Sequence, residues 1–290
     1  DSSLEWIGDQ RMRTNSAKTL IAYVYEYSDT QQRFNFWQIY KANDLSYTVV
    51  DNIEDIMISP PGGVVDHESF TINYNTAVSL SQTGLVPDSE GVIKNITLEP
   101  DLQHYRQDSA QYEIADYNID YANGEITVND SVDHLDDGES AYITYEYGSN
   151  PYIYLLQSGD TILQYDWSRN EQWSYQESDL GTGDLEFLTV TSNGIFYEYE
   201  DTNDNNIIAQ VDPSGSRIWS FQTPNDGNYD ASEIYNGTLY FGSNGYVKSI
   251  DVGGSSYNWE LDLGDEICRA LAVDGTYVYI ASPDHIYFID

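Results

Sequence analysis

Positive charge is what this sequence most lacks. Eleven Lys and Arg stand against 49 Asp and Glu in 290 residues, a formal net charge of −38. Phosphate binding needs Lys and Arg to displace counterions, so nucleic acid is excluded as a partner. An anionic membrane surface is excluded on the same ground. Cysteine is nearly absent too. Cys268 stands alone, which rules out an intrachain disulfide and a cysteine-based metal cluster. No apolar run approaches the roughly 18 residues of a membrane-spanning helix, so direct membrane insertion is not expected. The four histidines (His67, His104, His134, His285) share no metal-ligand spacing, and no Gly-rich phosphate loop is present. The chain opens on Asp1, which predicts that a start methionine, or a leader, precedes it.

What is abundant is acid and tyrosine. Self-repulsion at this charge loosens a compact chain in dilute buffer. In molar salt, screening within about 3 Å removes the repulsion. The composition therefore predicts a protein adapted to high salt, from a haloarchaeon or one of its viruses, with an ordinary acidic secreted protein as the alternative. Twenty-seven Tyr against eight Phe suit sheet surfaces that are half buried and half wet.

Helical periodicity is almost missing. Short alternating runs separated by Gly, Asn, Asp and Ser clusters predict an all-β chain. A repeat then emerges. Each unit has an apolar strand, a strand ending in Asp, a polar turn, and a Trp. One holds Gly194–Tyr199, Ile207–Asp212 and Trp219; the next Gly237–Phe241, Tyr246–Asp251 and Trp259. An earlier unit holds Tyr152–Leu155, Ile162–Asp166 and Trp173. The last unit reaches Asp290 without its Trp strand, and Ser3–Ile7, with Trp6, supplies it from the other terminus. A first unit covers Thr19–Val50, with Tyr47 in the Trp place and Lys41 in the Asp place. The expected architecture is a five-bladed β-propeller closed by the N-terminal strand. The spacing from Tyr47 to Trp173 leaves an excess that predicts a β-sandwich domain, residues 64–148, inserted in blade 2. Propeller segments 1–60 and 151–290 flank it. The repeat Trp and Asp residues are expected to be structural, the indoles packing between blades and the carboxylates bracing turns.

At these residues the chain resembles the propeller repeats of quinoprotein-like and tryptophan-docking families, and the resemblance covers roughly 200 residues. Those quinoproteins have more blades and a paired-cysteine feature beside the cofactor. With Cys268 alone, this chain departs there, so no cofactor is expected. The insert is similar to small β-sandwich modules on the tails and capsids of tailed viruses, most legibly at Tyr112–Tyr121, the Asn123-Gly124 turn and Glu125–Val128.

Inner strands would place Asp55, Glu186 and Glu233 toward a central channel, with Arg13 and Arg269 beside them. Two such carboxylates about 5–10 Å apart could hydrolyse a glycoside, although chance acids paired to the two arginines explain them better. Asp201, Asn203 and Asn205 alternate like a calcium loop, but Asn206 replaces the required Gly, so a solvated turn is expected and no metal. Recognition is expected on the face carrying the long connections Gln176–Asp184 and Gln222–Tyr229, with Asp179, Asp184, Asp226 and Tyr229 as contacts. The function expected is a non-enzymatic recognition or structural protein at the surface of a haloarchaeal virion, in a high-salt extracellular setting. Its partners would be other virion proteins or a host-surface glycan or protein, with oligomerisation open. A secreted halophilic glycoside hydrolase and a cellular adhesion propeller are the alternatives.

Overall fold

The computed structural model describes residues 12–14, 16–17, 20–28, 31–38, 47–50, 52–87, 89–93, 117–129, 137–181, 184–223 and 231–289. Among these the chain is all-β, with seven sheets and no helix. Trp6, Lys41, Asp226, Tyr229 and Asp290 lie outside the described residues. So does the Ser3–Ile7 strand expected from the sequence.

Two compact units divide the chain. One comprises residues 1–155 with 165–172, the other 156–164 with 173–290. One four-stranded sheet has the order Glu171–Gln176, Thr161–Tyr165, Ile153–Gln157, Ile53–Ile58.

In the second unit, strands Glu186–Thr191, Gly194–Glu200, Asn206–Val211 and Arg217–Thr223 form a simple up-and-down sheet. Its two middle strands are buried almost throughout, while the outer one alternates. That contrast is expected of a sheet covered on both faces, whose central strands read as continuous apolar runs. The next sheet uses Ala231–Tyr235, the long element Thr238–Asp251, and Trp259–Ile267. The long element is a folded hairpin: the amide of Val252 donates to the carbonyl of Gly237 at 2.9 Å. Fourteen straight strand residues would hold those groups roughly 45 Å apart. A third sheet holds Ala270–Val273, Val278–Ala281 and Ile286–Ile289. The first strands of these three sheets run as neighbours. The Ser232 hydroxyl donates to the carbonyl of Leu188 at 2.6 Å between the first two.

Each interface between these sheets is an apolar core. Leu188, Phe196 and Ile208 meet Leu239, Phe241 and Ile250, with Trp219 and Phe221 at the margin. The opposite face of the middle sheet, at Val247 and Leu263, meets Cys268, Val278 and Ile280, with Trp259 alongside.

The first unit opens with strands Met12–Thr14, Leu20–Ser28, Gln31–Gln38 and Thr48–Val50 in sequential order. Phe34 and Phe36 of this sheet pack on Tyr165 and Trp167, with ring centroids 5.7 and 4.9 Å apart. Between Ile58 and Ile153 the described residues form two three-stranded sheets. Gly63–Thr71, Ser140–Tyr147 and Gly91–Ile93 form one; Ala77–Ser79, Glu125–Val128 and Tyr117–Asp120 form the other. Both contribute to a single core that includes Phe70, Ile143 and Tyr145 from one and Ile126, Val128 and Tyr117 from the other. The chain enters and leaves this region through a narrow neck. A Cβ added at Gly62 would lie 3.0 Å from the Cα of Gly148, so glycine is what lets the two backbones pass. Beyond the neck, the Ser59 amide donates to Tyr152 O at 2.9 Å, and the Tyr152 amide to the Ser59 hydroxyl at 2.7 Å.

Candidate functional site

The repeat aspartates are turn braces. In the turn after Thr161–Tyr165, Asp166 Oδ1 accepts the amides of Ser168 and Asn170 at 2.8 and 2.9 Å. In the turn after Asn206–Val211, Asp212 Oδ1 accepts the amides of Ser214 and Ser216 at 2.9 and 3.0 Å. The third loop residue has positive φ in both, Arg169 at 65° and Gly215 at 83°, as a three-residue hairpin loop requires. Asp251 serves a longer loop differently, accepting from Thr238 Oγ1 and Asn258 Nδ2 at 2.8 Å each. Hydrogen bonding from the Ser214 hydroxyl holds Asp212 below the usual carboxylate range, and the Asn258 amide does the same for Asp251.

The repeat tryptophans reach forward. Trp173 Nε1 donates to Pro213 O at 2.9 Å, inside the Asp212 turn of the following sheet. Trp219 Nε1 donates to Gly254 O at 3.2 Å, inside the loop after Asp251. Tyr47 is placed otherwise. Its ring is 42% exposed and lies under the Arg33 guanidinium, 3.7 Å from the centroid. The neighbouring Thr48 reaches the Asp166 turn instead, donating to Arg169 O at 3.1 Å. Trp167, which carried no mark in the repeat pattern, is buried and donates to Pro87 O.

The expected calcium-like loop has the same turn geometry. Asp201 Oδ1 accepts the amides of Asn203 and Asn205 at 2.8 and 3.0 Å, and Asp204 has φ 61°. The Asn205 side-chain amide holds the Asp201 carboxyl low. Against this turn lies the loop after Gln176. Leu180 bridges Asp201, the Gly181 amide donates to Glu200 O at 2.6 Å, and Thr202 Oγ1 donates to Asp179 Oδ1 at 3.2 Å. The structure thus brings Asp179 and the 201–205 turn together, with Asp184 exposed beyond them.

At the root of this loop is a residue the sequence did not single out. The Glu177 side chain is fully buried. Its carboxylate accepts from Tyr197 OH at 2.8 Å, Tyr175 OH at 2.9 Å and the Ser178 amide at 2.9 Å. Arg217 Nη1 completes the cluster at 2.9 Å and also donates to Tyr199 OH at 3.1 Å. Burial alone raises such a group, but the two phenols and the Arg217 charge outweigh it and hold Glu177 below its usual range. Burial and the Glu177 charge push Tyr199 up to about 12. One acid among 49 has no local signal; Glu177 is distinguished only by what three strands bring to it.

Asp55 is held by Arg13, Nη2 to Oδ1 3.1 Å. Glu186 is exposed at the start of its strand. Glu233 is half-buried on Ala231–Tyr235, and burial raises its pKa.

No family model matches this chain. No curated protein matches it. Among solved structures it is similar to the computationally designed Ika4 protein, at 13% identity over 50% of this chain and 88% of that one, with a TM-score of 0.37. BamB from Moraxella catarrhalis aligns at 14% identity over 48% and 42%, with a TM-score of 0.36. Hsv2 from Kluyveromyces lactis aligns at 7% identity over 97% of this chain and 62% of that one, with a TM-score of 0.42. At these scores the likenesses carry no argument about this protein.

Proposed function

We propose that the chain is a five-bladed β-propeller with a β-sandwich inserted in its second blade, acting as a non-enzymatic recognition module on the surface of a halophilic virion. The up-and-down sheets with neighbouring first strands support the propeller, and the glycine neck at Gly62 and Gly148 supports the insertion.

Register supports closure by Ser3–Ile7. Four residues before the repeat Asp, Ile162, Ile208 and Val247 are each 0% exposed, yet Ile286 in the last sheet is 67% exposed. Two residues before it, Gln164, Gln210 and Ser249 are at most 2% exposed and Phe288 is 65%. A further strand and a covering face, as closure would supply, would bury these positions.

The observation that carries recognition is the Glu177 cluster. It fixes the root of an acidic loop and presses that loop onto the 201–205 turn, giving polar groups on a rigid support. The net charge of −38 supports the halophilic setting. The partner, a virion protein or a host-surface glycan or protein, would be held by hydrogen bonds, stacking and bridging cations.

Binding of labelled protein to host cells in molar salt tests this reading. Replacing Asp179, Asp184, Asp226 and Tyr229 by Ala should weaken attachment at least tenfold at an unchanged melting temperature. Attachment that survives those changes and disappears on deleting Val64–Gly148 would move recognition to the insert. A glycoside hydrolase is the competing reading, favoured by the half-buried carboxylate of Glu233 on the first strand of its sheet. Sugar release from host polysaccharide that Glu233→Gln abolishes would establish it. A cellular adhesion propeller would share the binding chemistry, and flanking genes separate it from a virion protein.

A further inference from the structure

Three Asn-X-Ser/Thr triplets occur in the sequence, at Asn95, Asn129 and Asn236. Only Asn236-Gly237-Thr238 lies wholly within the described residues. We propose that Asn236 is an N-glycosylation acceptor, taking its glycan from a lipid-linked donor. The proposal rests on the extracellular setting proposed above.

The geometry suits a bulky, hydrated substituent. Asn236 and Gly237 form a two-residue turn, with φ of 49° and 82°, between paired Tyr235 and Thr238. Positive φ at both central residues is the hairpin turn that follows strand twist and projects its tip. Asn236 is exposed, and a Cβ placed on Gly237 meets nothing within 4 Å. Asn129, by contrast, is half-buried and its Oδ1 accepts from Asn118 Nδ2 at 3.3 Å.

The position also leaves the proposed recognition loops free. Ser232 bonds Leu188, and from there the two first strands run to their own turns, one at Ser192-Asn193 and the other at Asn236-Gly237. The strand Gly194–Glu200 then runs back to the Asp201 turn at the far end, roughly 20 Å away. A glycan on Asn236 therefore stands at the end of the sheets opposite Asp179 and Asp201.

In the modification, Asn236 Nδ2 forms a bond to the anomeric carbon of the donor glycan. The carbon–oxygen bond to the lipid phosphate breaks, the phosphate leaves with the electron pair, and the amide proton goes to solvent through the transferase. The required co-reactant is the lipid-linked glycan. In the folded chain Thr238 Oγ1 donates to Asp251 Oδ1 at 2.8 Å, which occupies the hydroxyl that completes the acceptor triplet. Transfer therefore belongs to the chain before this hairpin closes, during export.

The test is to secrete the full chain, with a supplied signal, from a haloarchaeal host that N-glycosylates a control protein in the same culture. Glycopeptide mass spectrometry should find a glycan mass on the peptide holding Asn236. Asn236→Gln and Thr238→Val should lose that mass, and Thr238→Ser should keep it. An unmodified Asn236 alongside a modified control overturns the proposal. Because export is imposed, this outcome is independent of where the natural chain resides; finding the natural chain in the cytoplasm would sink the surface reading alone.

Discussion

The two regions of this molecule solve the burial problem in different ways. Between Trp173 and Ile289, sheets bury one another: their interfaces are apolar cores, and Trp173 and Trp219 each find a carbonyl in the loop of the next sheet. Between Gly63 and Tyr147, two short sheets share one core, braced by a local polar knot. There Tyr145 OH and Ser81 Oγ both donate to Glu68 Oε2, at 2.5 and 2.8 Å. Repetition makes stability a property of neighbours; the two-sheet region rests on its own core, with Trp167 reaching in from outside to Pro87.

The largest effect that would test this contrast is removal of salt. Seventeen acidic residues face only Lys94 and Arg106 between Val64 and Gly148, a denser excess than in the rest of the chain. Below roughly 0.5 M salt, as the Debye length lengthens, the two-sheet region should lose hydrogen-exchange protection first and the repeated sheets later. Simultaneous loss would mean that one cooperative unit spans both. Unchanged circular dichroism in salt-free buffer would remove the halophilic argument.

Core truncation is next. Ile143→Ala and Ile208→Ala each delete a fully buried side chain and should cost about 2–5 kcal/mol. The first should lower protection only within residues 63–147. The second should lower it across residues 186–263, because Ile208 serves the interface of two sheets. If Ile208→Ala acts on its own sheet alone, the neighbour-coupled account fails.

Glu177→Gln should cost about 2 kcal/mol, since it removes one partner of a buried pair whose Arg217 side chain is 37% exposed. The sign of its pH dependence follows from the depressed pKa. Its contribution is present above the ordinary carboxyl range, near 4.3, and is lost as pH falls through the lower folded value. Acid denaturation of the wild type should therefore show a steeper low-pH limb than the Gln variant, and identical limbs would remove Glu177 from the account. The smallest effect concerns the Trp contacts: Trp173→Phe and Trp219→Phe should each cost about 1 kcal/mol beyond lost packing. Urea midpoints unmoved by either change would show that the indole bonds to Pro213 and Gly254 add nothing.

The difference between the regions also explains what could be read in advance. Repetition is visible to the eye, so the Asp166, Asp212 and Asp251 turns and the strands around Trp173, Trp219 and Trp259 were legible from spacing alone. The Asn123-Gly124 hairpin was legible because its turn chemistry is local, and Gly124 adopts φ 65°. Glu177 was not, because its partners Tyr197 and Arg217 lie 20 and 40 residues away and meet it only through sheet order. Trp167 was hidden for a related reason. It sits in a loop of the repeat but donates to Pro87, outside the repeat altogether. The loop at Asp201 was recognisable as acidic, yet its docking against Asp179 depends on a bridge from Leu180 that no spacing announces.

One consequence follows from the forward reach of Trp173 and Trp219. The sheet that holds Trp219 carries both a plug, its indole, and a socket, the Pro213 carbonyl that takes the indole of Trp173. A segment running from one Trp to the following one therefore carries one of each. Copying such a segment lengthens the row with every contact matched, whereas copying half of it strands a donor or an acceptor. The chain has a natural unit of duplication, and its boundary lies at the indole rather than at the turn between sheets.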